Sequence, residues 1–406
     1  NKWADSVWDI GAAFGTVAGK KGDITVEITT YRSESYELDS RKPNVEFGKT
    51  IEADLSRRDF TINAMALELT TDEPTFIDLF NGVLDLQKKI IKTPGKAEDS
   101  FSDDPLRMMR AARFMSQLNF EVDESVLVAI KNMAARLEII SSERIRDEFI
   151  KIMMSSSPRL GITLLVETGL SDYFLPEVPK LKLEIDEHHH HKDVYEHSLT
   201  VLEQAIALED RLSGANLTLR LAALLHDIGK PKTKQLIAGG GVSFHHHEVV
   251  GARMCKERMK KLRFDNHIIN DVSQLVFLHL RFHGYGSGEW TDSAVRRYVR
   301  DAGELLTHLH LLTRADCTTR NKKKAEGLAR TYDQLEERIE LLMQQEELNK
   351  IRPDLSGEQI MEILGIKPSP AVGKAYDFLL ELRLEHGPLG EEKAKQALLT
   401  WQKEQK

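Results

Sequence analysis

The sequence predicts a small α+β head followed by predominantly all-α modules. Three observations carry that prediction. Between Ile24 and Tyr31, the residues Ile24, Val26 and Ile28 alternate with Thr25, Glu27 and Thr29, the period of a half-buried strand. From about Asp103 almost to the C-terminus, apolar residues recur at three- and four-residue spacing, the period of amphipathic helices. Histidine is confined to the second half: none of the 15 precedes His188, and 14 lie between His188 and His310. Chemistry that uses imidazole therefore belongs to a separate module.

Taken in order, Trp3 to Phe14 reads as a helix, followed by the strand from Ile24. Asn63 to Leu67 reads as helix or strand entering an apolar layer, and Phe76 to Gly82 ends in a turn. Four amphipathic helices are expected over Leu106 to Phe114, Val126 to Leu137, Glu143 to Met154 and Pro158 to Thr168, punctuated by Gly169, Pro176 and Pro179. A second helical block runs from about Val194 to Leu312, broken by Gly239-Gly240-Gly241. A third starts near Arg320 and includes the charged amphipathic stretch Leu335 to Glu347, then Pro353, Pro368 and Pro370. No internal repeat is visible.

At 406 residues the chain has room for two to four domains of roughly 150 residues each. Only two cysteines occur, Cys255 and Cys317, which excludes a disulfide scaffold and points to a reducing compartment. No apolar run approaches the ~18 residues of a membrane helix, and no signal peptide is visible. The net charge of −8 argues against a wholly basic nucleic-acid coat. Local cation clusters remain: Arg296, Arg297 and Arg300 in one segment, and Arg320 with Lys322, Lys323 and Lys324 in another. Either suits an RNA backbone, or is an ordinary solvated helix face. The chain opens Asn1-Lys2-Trp3, without Met, so a fragment lacking its N-terminus is expected.

The first chemical constellation is Arg57-Arg58-Asp59-Phe60-Thr61-Ile62-Asn63-Ala64. Two guanidiniums can clamp triphosphate oxygens as planar forks, while Asp59 and Asn63 can bond ribose hydroxyls. Taken alone, such a cluster is more often a surface salt bridge. Next comes Asp103-Asp104-Pro105-Leu106-Arg107-Met108-Met109-Arg110-Ala111-Ala112-Arg113-Phe114, opening a helix. Arg107, Arg110 and Arg113 share one broad face. Asp104 and Arg107, three apart, offer an acceptor and a fork of donors, enough to bond a base edge. The plainer alternative is helix capping by the aspartates.

These segments resemble, in order, motifs of the class II tRNA nucleotidyltransferases, the CCA-adding enzymes related to bacterial poly(A) polymerases. The second motif is Arg57 to Ala64; the third is Asp78-Leu79-Phe80-Asn81-Gly82 onward with Ile91 to Pro94; the fourth is Asp103 to Phe114; the fifth is Glu143-Arg144-Ile145-Arg146-Asp147-Glu148. The chain most resembles actinobacterial-type members with an HD domain. The resemblance implies sequential addition of C, C and A to the tRNA 3′ end. It makes Asp104 and Arg107 the amino-acid template, with Asp103 where the family often has Glu. Arg57, Arg58, Asp59 and Asn63 would hold triphosphate and ribose, and Arg110 and Arg113 would add phosphate contacts. The family's first motif, a Gly-Gly turn followed by two aspartates that bind Mg²⁺, is absent from the chain, so the sequence as given is expected not to catalyse the transfer by this mechanism, whereas a full-length parent would. Glu27 is left as the one candidate catalytic carboxylate, or an exposed strand residue.

The second constellation begins with His197 and the adjacent pair His226-Asp227, which ends an apolar helix just before Gly229-Lys230-Pro231. Burying such a pair is costly without a partner, and a metal ion would meet that cost. His247, His279 and Asp316 follow. The ordered set resembles the HD metal-dependent phosphohydrolases. By that resemblance His197, His226, Asp227 and Asp316 hold one divalent ion of open identity, and His247 and His279 a second. The substrate would be a phosphomonoester or a 2′,3′-cyclic phosphate, with Lys230 neutralising phosphate. The run His188 to His191 is expected to be a solvated loop.

The resemblance also implies four modules: the C-terminal part of a nucleotidyltransferase head over 1–98, a helical neck over 99–180, an HD domain over 181–319 and a tRNA-binding helical module over 320–406. Expected partners are tRNA, ATP and CTP, with no membrane and no stable protein partner, in the cytoplasm. Competing readings are a stand-alone HD phosphohydrolase, a non-catalytic tRNA-binding fragment, and an A-adding or poly(A) polymerase relative.

Overall fold

The computed structural model describes residues 3–11, 16–31, 33–35, 44–46, 50–70, 72–182, 193–237, 241–284, 291–319, 321–346 and 351–405. The run His188 to His191, Gly239, Gly240 and Arg320 lie outside them. The chain divides into two compact units. One comprises 1–180 with 258–264, the other 181–257 with 265–406. Among the described residues no helix is long and apolar enough to cross a membrane.

The first unit opens with an antiparallel sheet of β1 (Ser6–Gly11), β2 (Thr16–Lys21) and β3 (Ile24–Thr29), in the order β1-β2-β3. The expected helix over Trp3 to Phe14 is thus incorrect. Val7 pairs with Gly19 and Trp8 with Ala18, so β2 supplies the partner the local pattern does not reveal. β3 lies where the alternation places it, but it is exposed throughout rather than half-buried, with Ile24 at 63% and Ile28 at 69% exposure. Two short antiparallel pairs follow, β4 (Ser33–Ser35) with β5 (Asn44–Glu46) and β6 (Ala66–Glu68) with β7 (Thr75–Ile77). Between the pairs lies α1 (Ile51–Ser56), capped by Thr50, whose hydroxyl accepts from the Ala53 N–H at 3.3 Å. The segment Asn63 to Leu67 resolves into the end of a 3-10 turn (Thr61–Asn63) and the start of β6.

Next come α2 (Gly82–Lys88), β8 (Ile90–Ile91), α3 (Ala97–Asp103), α4 (Leu106–Leu118), β9 (Glu121–Val122), α5 (Glu124–Met133), α6 (Ser142–Met153) and α7 (Pro158–Glu167). β8 and β9 pair in parallel. α4 is the centre of this unit, packed on α6 and α7. Met108, Met109, Ala111 and Ala112 are fully buried, and Phe60 meets Phe114 edge to face at 5.7 Å. Gly161 of α7 permits the close approach, since a Cβ there would lie 2.2 Å from the Ser116 hydroxyl.

The second unit holds α8 (Val194–Ala207), α9 (Leu217–Leu225), α10 (Lys230–Thr233), the hairpin β10 (Gln235–Ile237) and β11 (Gly241–Ser243), α11 (His247–Lys261), α12 (Asn266–Leu278), α13 (Arg281–Gly284), α14 (Asp292–Ala302), α15 (Leu306–Asp316), α16 (Lys322–Glu346), α17 (Gly357–Leu364), α18 (Pro370–His386) and α19 (Glu391–Glu404). α11 runs across the division, its last turn belonging to the first unit. α9 is apolar nearly all round and buried along its length from Leu219. The last three helices share their own core of Leu355, Ile360, Ala375, Leu379, Ala394 and Leu398.

The cation cluster on α14 serves this packing rather than solvent. Arg296 is buried and forms a bidentate pair with Glu346 of α16 at 2.8 Å, and its fork also donates to the Leu384 carbonyl of α18 at 3.1 Å. Arg297 pairs with Glu381 and Glu385, and Arg300 with Asp301. Lys322, Lys323 and Lys324 are exposed at the start of α16. Both cysteines are free thiols.

Glu336 of α16 ties three elements together, bonding Arg211 at 2.8 Å, Arg314 at 3.2 Å and His310 at 3.4 Å. Burial would raise its carboxyl, but bonds from His310 and Arg211 and the charge of Arg314 outweigh it and hold it at about 2, against an ordinary value of 4.5. In that window the unfolded chain binds the extra proton, so stability is lost as pH falls. Melting temperature should therefore drop between pH 5 and pH 3, and Glu336→Gln should flatten that drop while lowering Tm at pH 7.

Candidate functional site

In the first unit a cleft of about 460 Å³ opens beside α4. Its lining includes Thr29, Tyr31, Asp54, Arg57, Arg58, Asp59, Asp104, Arg107, Arg110 and Arg144. Five arginines face three aspartates there, a balance that favours a multiply charged anion. The aspartates hold the arginines in place. Asp54 is buried and accepts from Arg57 at 2.7 Å and Arg58 at 3.1 Å. Burial would raise its carboxyl, but those bonds and charges, Arg57 first, hold it below the ordinary range. Asp59 accepts from Arg110 Nε at 2.8 Å, and its other oxygen accepts from the Phe60 N–H at 2.9 Å and from Asn63 Nδ2 at 3.2 Å.

The pair read as a base-edge reader lies in this cleft, each member separately anchored. Asp104 ends α3; its Oδ1 accepts from the Leu106 N–H at 3.1 Å and its Oδ2 from Arg144 at 2.8 Å. Arg107 donates to Ser100 Oγ at 2.9 Å and to the Arg57 carbonyl at 2.5 Å. Among the other expected residues, Asn63 braces Asp59 without lining the cleft, and Asp103 lies outside its lining. Arg113 turns into the core, 8% exposed, and pairs with the buried Glu148 of α6 at 3.3 Å. Its guanidinium thus fixes α4 to α6 instead of facing solvent. Glu27 is exposed on β3, on the same strand face as the cleft residue Thr29. Asp54 was missed in the sequence; its signal is the spacing of three and four to Arg57 and Arg58.

In the second unit all six expected metal residues converge. Their ligand atoms fall into two sets, His197 with His226 and Asp316, and Asp227 with His247 and His279; within each set the atoms lie inside 4.8 Å of one another. Asp227 was expected to serve the first ion alone. Instead its Oδ2 lies 3.2 Å from His226 Nε2 and its Oδ1 3.2 Å from His247 Nε2, so one carboxylate addresses both sets. Asp316 Oδ1 is 2.9 Å from His197 Nε2. Lys230, itself buried, reaches Asp227 Oδ2 at 2.9 Å.

Local sequence orients the rings. His226 and His279 cap the C-terminal ends of α9 and α12, where carbonyls lack intrahelical donors. Their Nδ1 atoms bond the carbonyls of Ala223 at 2.8 Å and Val276 at 2.6 Å, and His247 Nδ1 bonds that of Phe244 at 2.9 Å. A carbonyl only accepts, so each of these Nδ1 atoms carries a proton and each Nε2 is left facing inward, where it offers a lone pair once it is unprotonated. His247 and His279 then bring two Nε2 atoms within 3.3 Å, as do His197 and His226. Paired lone pairs of this kind, with two buried carboxylates, suit a divalent cation and match the outer-shell pattern of metal-binding histidines. Burial alone would lower His226, but the charges of Asp227 and Asp316 raise it to about 9. Burial, then the charges of His226 and His247, push His279 down to about 3. Gly229 keeps the two arms of the site together, since a Cβ there would strike the His247 carbonyl at 2.2 Å.

Comparison with known proteins agrees with this geometry. Residues 1–92 match the poly A polymerase head domain, 119–181 the probable RNA and SrmB-binding site of polymerase A, and 194–321 the HD domain. An A-adding tRNA nucleotidyltransferase of Deinococcus radiodurans is 34% identical over 340 residues, 82% of this chain and 75% of that protein. The chain belongs to the class II tRNA nucleotidyltransferase family. A CCA-adding enzyme of Lactobacillus delbrueckii subsp. bulgaricus is 46% identical over 165 residues, a match that spans 40% of this chain and 41% of that enzyme. Among solved structures, the Bacillus stearothermophilus CCA-adding enzyme in complex with CTP superposes with a TM-score of 0.66 at 22% identity, covering 99% of this chain and 85% of that one. That likeness concerns the fold.

Two outcomes are expected of this nucleotidyltransferase. Mn²⁺ titration followed by calorimetry should find two ions bound per wild-type chain, one in His247→Ala, and loss of both sites in Asp227→Ala. Asp54→Asn, which frees Arg57 and Arg58 from their anchor, should weaken CTP and ATP binding by about 5- to 10-fold, the loss of one charge-assisted hydrogen bond.

Proposed function

We propose that the chain serves template-independent addition of C, C and A to the 3′ end of tRNA, with CTP and ATP as donors, by supplying the nucleotide- and base-binding cleft. The observation that carries this reading is the Asp104–Arg107 pair, set in an arginine-lined cleft of a chain of this family. Cytosine and adenine both present an amino donor beside a ring-nitrogen acceptor. A carboxylate matches the first and a guanidinium the second. Guanine and uracil present the reverse order, and a fixed acid–guanidinium pair opposes it.

In this reading Arg57, Arg58 and Arg110 hold the triphosphate, and Asp59, braced by Asn63, holds the ribose. Asp103, at the end of α3, and Arg113, buried on α4, act on the base reader from outside the cleft. The tRNA 3′-hydroxyl attacks the α-phosphorus, one P–O bond forms, and pyrophosphate departs with the electrons of the bond that breaks. Glu27, on the β3 face it shares with Thr29, is the carboxylate of this chain that would help to hold Mg²⁺, which would supply charge neutralisation at the phosphates and lower the pKa of the attacking hydroxyl. Acceptor-end recognition falls to 119–181 and the C-terminal helices, by shape and phosphate contact. The activity is placed in the cytoplasm.

A second reading concerns the six-residue site of the second unit, favoured by the convergence of four Nε2 atoms and two carboxylates. Those residues would hold divalent ions of undetermined identity, which would supply Lewis-acid activation of water for phosphoester hydrolysis. Lys230 and the carboxylates orient the phosphate and keep the site's charge balanced.

The first reading is tested by assaying incorporation on tRNA lacking its CCA end. Asp104→Ala or Arg107→Ala should reduce discrimination of CTP and ATP against UTP and GTP by about 10- to 100-fold, the worth of a lost bidentate base contact. Triphosphate affinity should change far less. Unaltered discrimination would remove the base-reading role.

A further inference from the structure

The carboxylate assigned to base reading is occupied before any base arrives. Asp104 Oδ2 accepts from Arg144 at 2.8 Å, and both side chains line the same cleft. Arg144 is not needed to orient that carboxylate, because Oδ1 is already fixed by the Leu106 N–H at 3.1 Å. Nor does Arg144 serve its own helix. It sits in the first turn of α6, where the helix dipole disfavours a cation. Its side chain is 46% exposed, so it can swing away at little cost.

We propose that Arg144 is a stand-in for the amino group of cytosine or adenine, which must displace it from Asp104 Oδ2 on binding. The inference rests on Asp104 being the base reader. The chemistry gives Arg144 a sign. A guanidinium at this point opposes an amino donor, which competes for the same oxygen. It does not oppose the carbonyl of uracil or guanine, which makes no claim on that oxygen. Arg144 therefore narrows the preference for C and A over U and G that Asp104 alone would set, and it holds the carboxylate paired while the cleft is empty. An exposed or half-exposed ion pair of this kind is weak, so the effect should be about two- to fivefold.

The test is equilibrium binding of CTP, ATP, UTP and GTP to the full chain, followed by calorimetry. The variants are Arg144→Ala, Arg144→Lys, Asp104→Ala and the Asp104→Ala/Arg144→Ala double variant. Ratios of affinity (CTP over UTP, ATP over GTP) cancel any general loss of charge toward the triphosphate. Arg144→Ala should raise both ratios about two- to fivefold, Arg144→Lys should raise them less, and removing Arg144 in the Asp104→Ala background should not raise them. If Arg144→Ala leaves the ratios unchanged or lowers them while Asp104→Ala collapses them, Arg144 is only a brace and the inference fails with base reading intact. If Asp104→Ala leaves the ratios unchanged as well, base reading itself fails. A rise on Arg144→Ala that persists without Asp104 also overturns the inference, because the effect then bypasses the carboxylate.

Discussion

A charge withdrawn from water must meet an opposite charge, and both candidate sites of this chain are built on that constraint. In the cleft, buried Asp54 holds Arg57 and Arg58, Asp59 holds Arg110, and Asp104 holds Arg144. A guanidinium carries five N–H groups and a carboxylate uses one or two, so such a pair fixes an arginine without using all of its donors. In the second unit, Asp227 and Asp316 meet four inward-facing imidazoles, and Lys230 supplies one fixed positive charge. Remaining lone pairs are left to a cation.

The same rule separates working arginines from structural ones. Arg113 and Arg296 are buried and paired with Glu148 and Glu346 respectively, the second pair bidentate. Removing either partner would strand a charge in a low-dielectric interior, so these pairs fasten helix to helix. Arg57, Arg58, Arg107, Arg110 and Arg144 keep part of their surface in the cleft. Their pairs are correspondingly cheaper to exchange. Dense arginine runs in the sequence thus divide by exposure into recognition and fastening, a division that spacing does not reveal.

The metal centre and the cleft also differ in how they are held. His226 and His279 are tied to carbonyls three residues back, at helix ends that need a donor anyway. Local backbone geometry therefore prepares the rings before the helices assemble. The cleft is assembled from distant segments: Arg107 bonds the carbonyl of Arg57, and Arg144 the carboxylate of Asp104. Its shape depends on α3, α4 and α6 being docked, so loosening that packing disturbs the base reader before it disturbs the metal ligands.

Much was legible in the order of residues. The helices after Asp103, the strand from Ile24, the family motifs and the six residues of the candidate metal site follow from local periodicity, local chemistry and motif order, which survive without knowledge of the fold. Strand β1 was not legible, because its identity comes from pairing with β2 and its own pattern is compatible with a helix. Tertiary structure alone decided that Asp227 addresses both candidate metal sets, that Arg113 and Arg296 turn inward, and that Arg144 holds Asp104. Each of these is a direction taken by a side chain toward a partner far along the chain. Composition and spacing determine which charges exist, and only packing determines which of them meet.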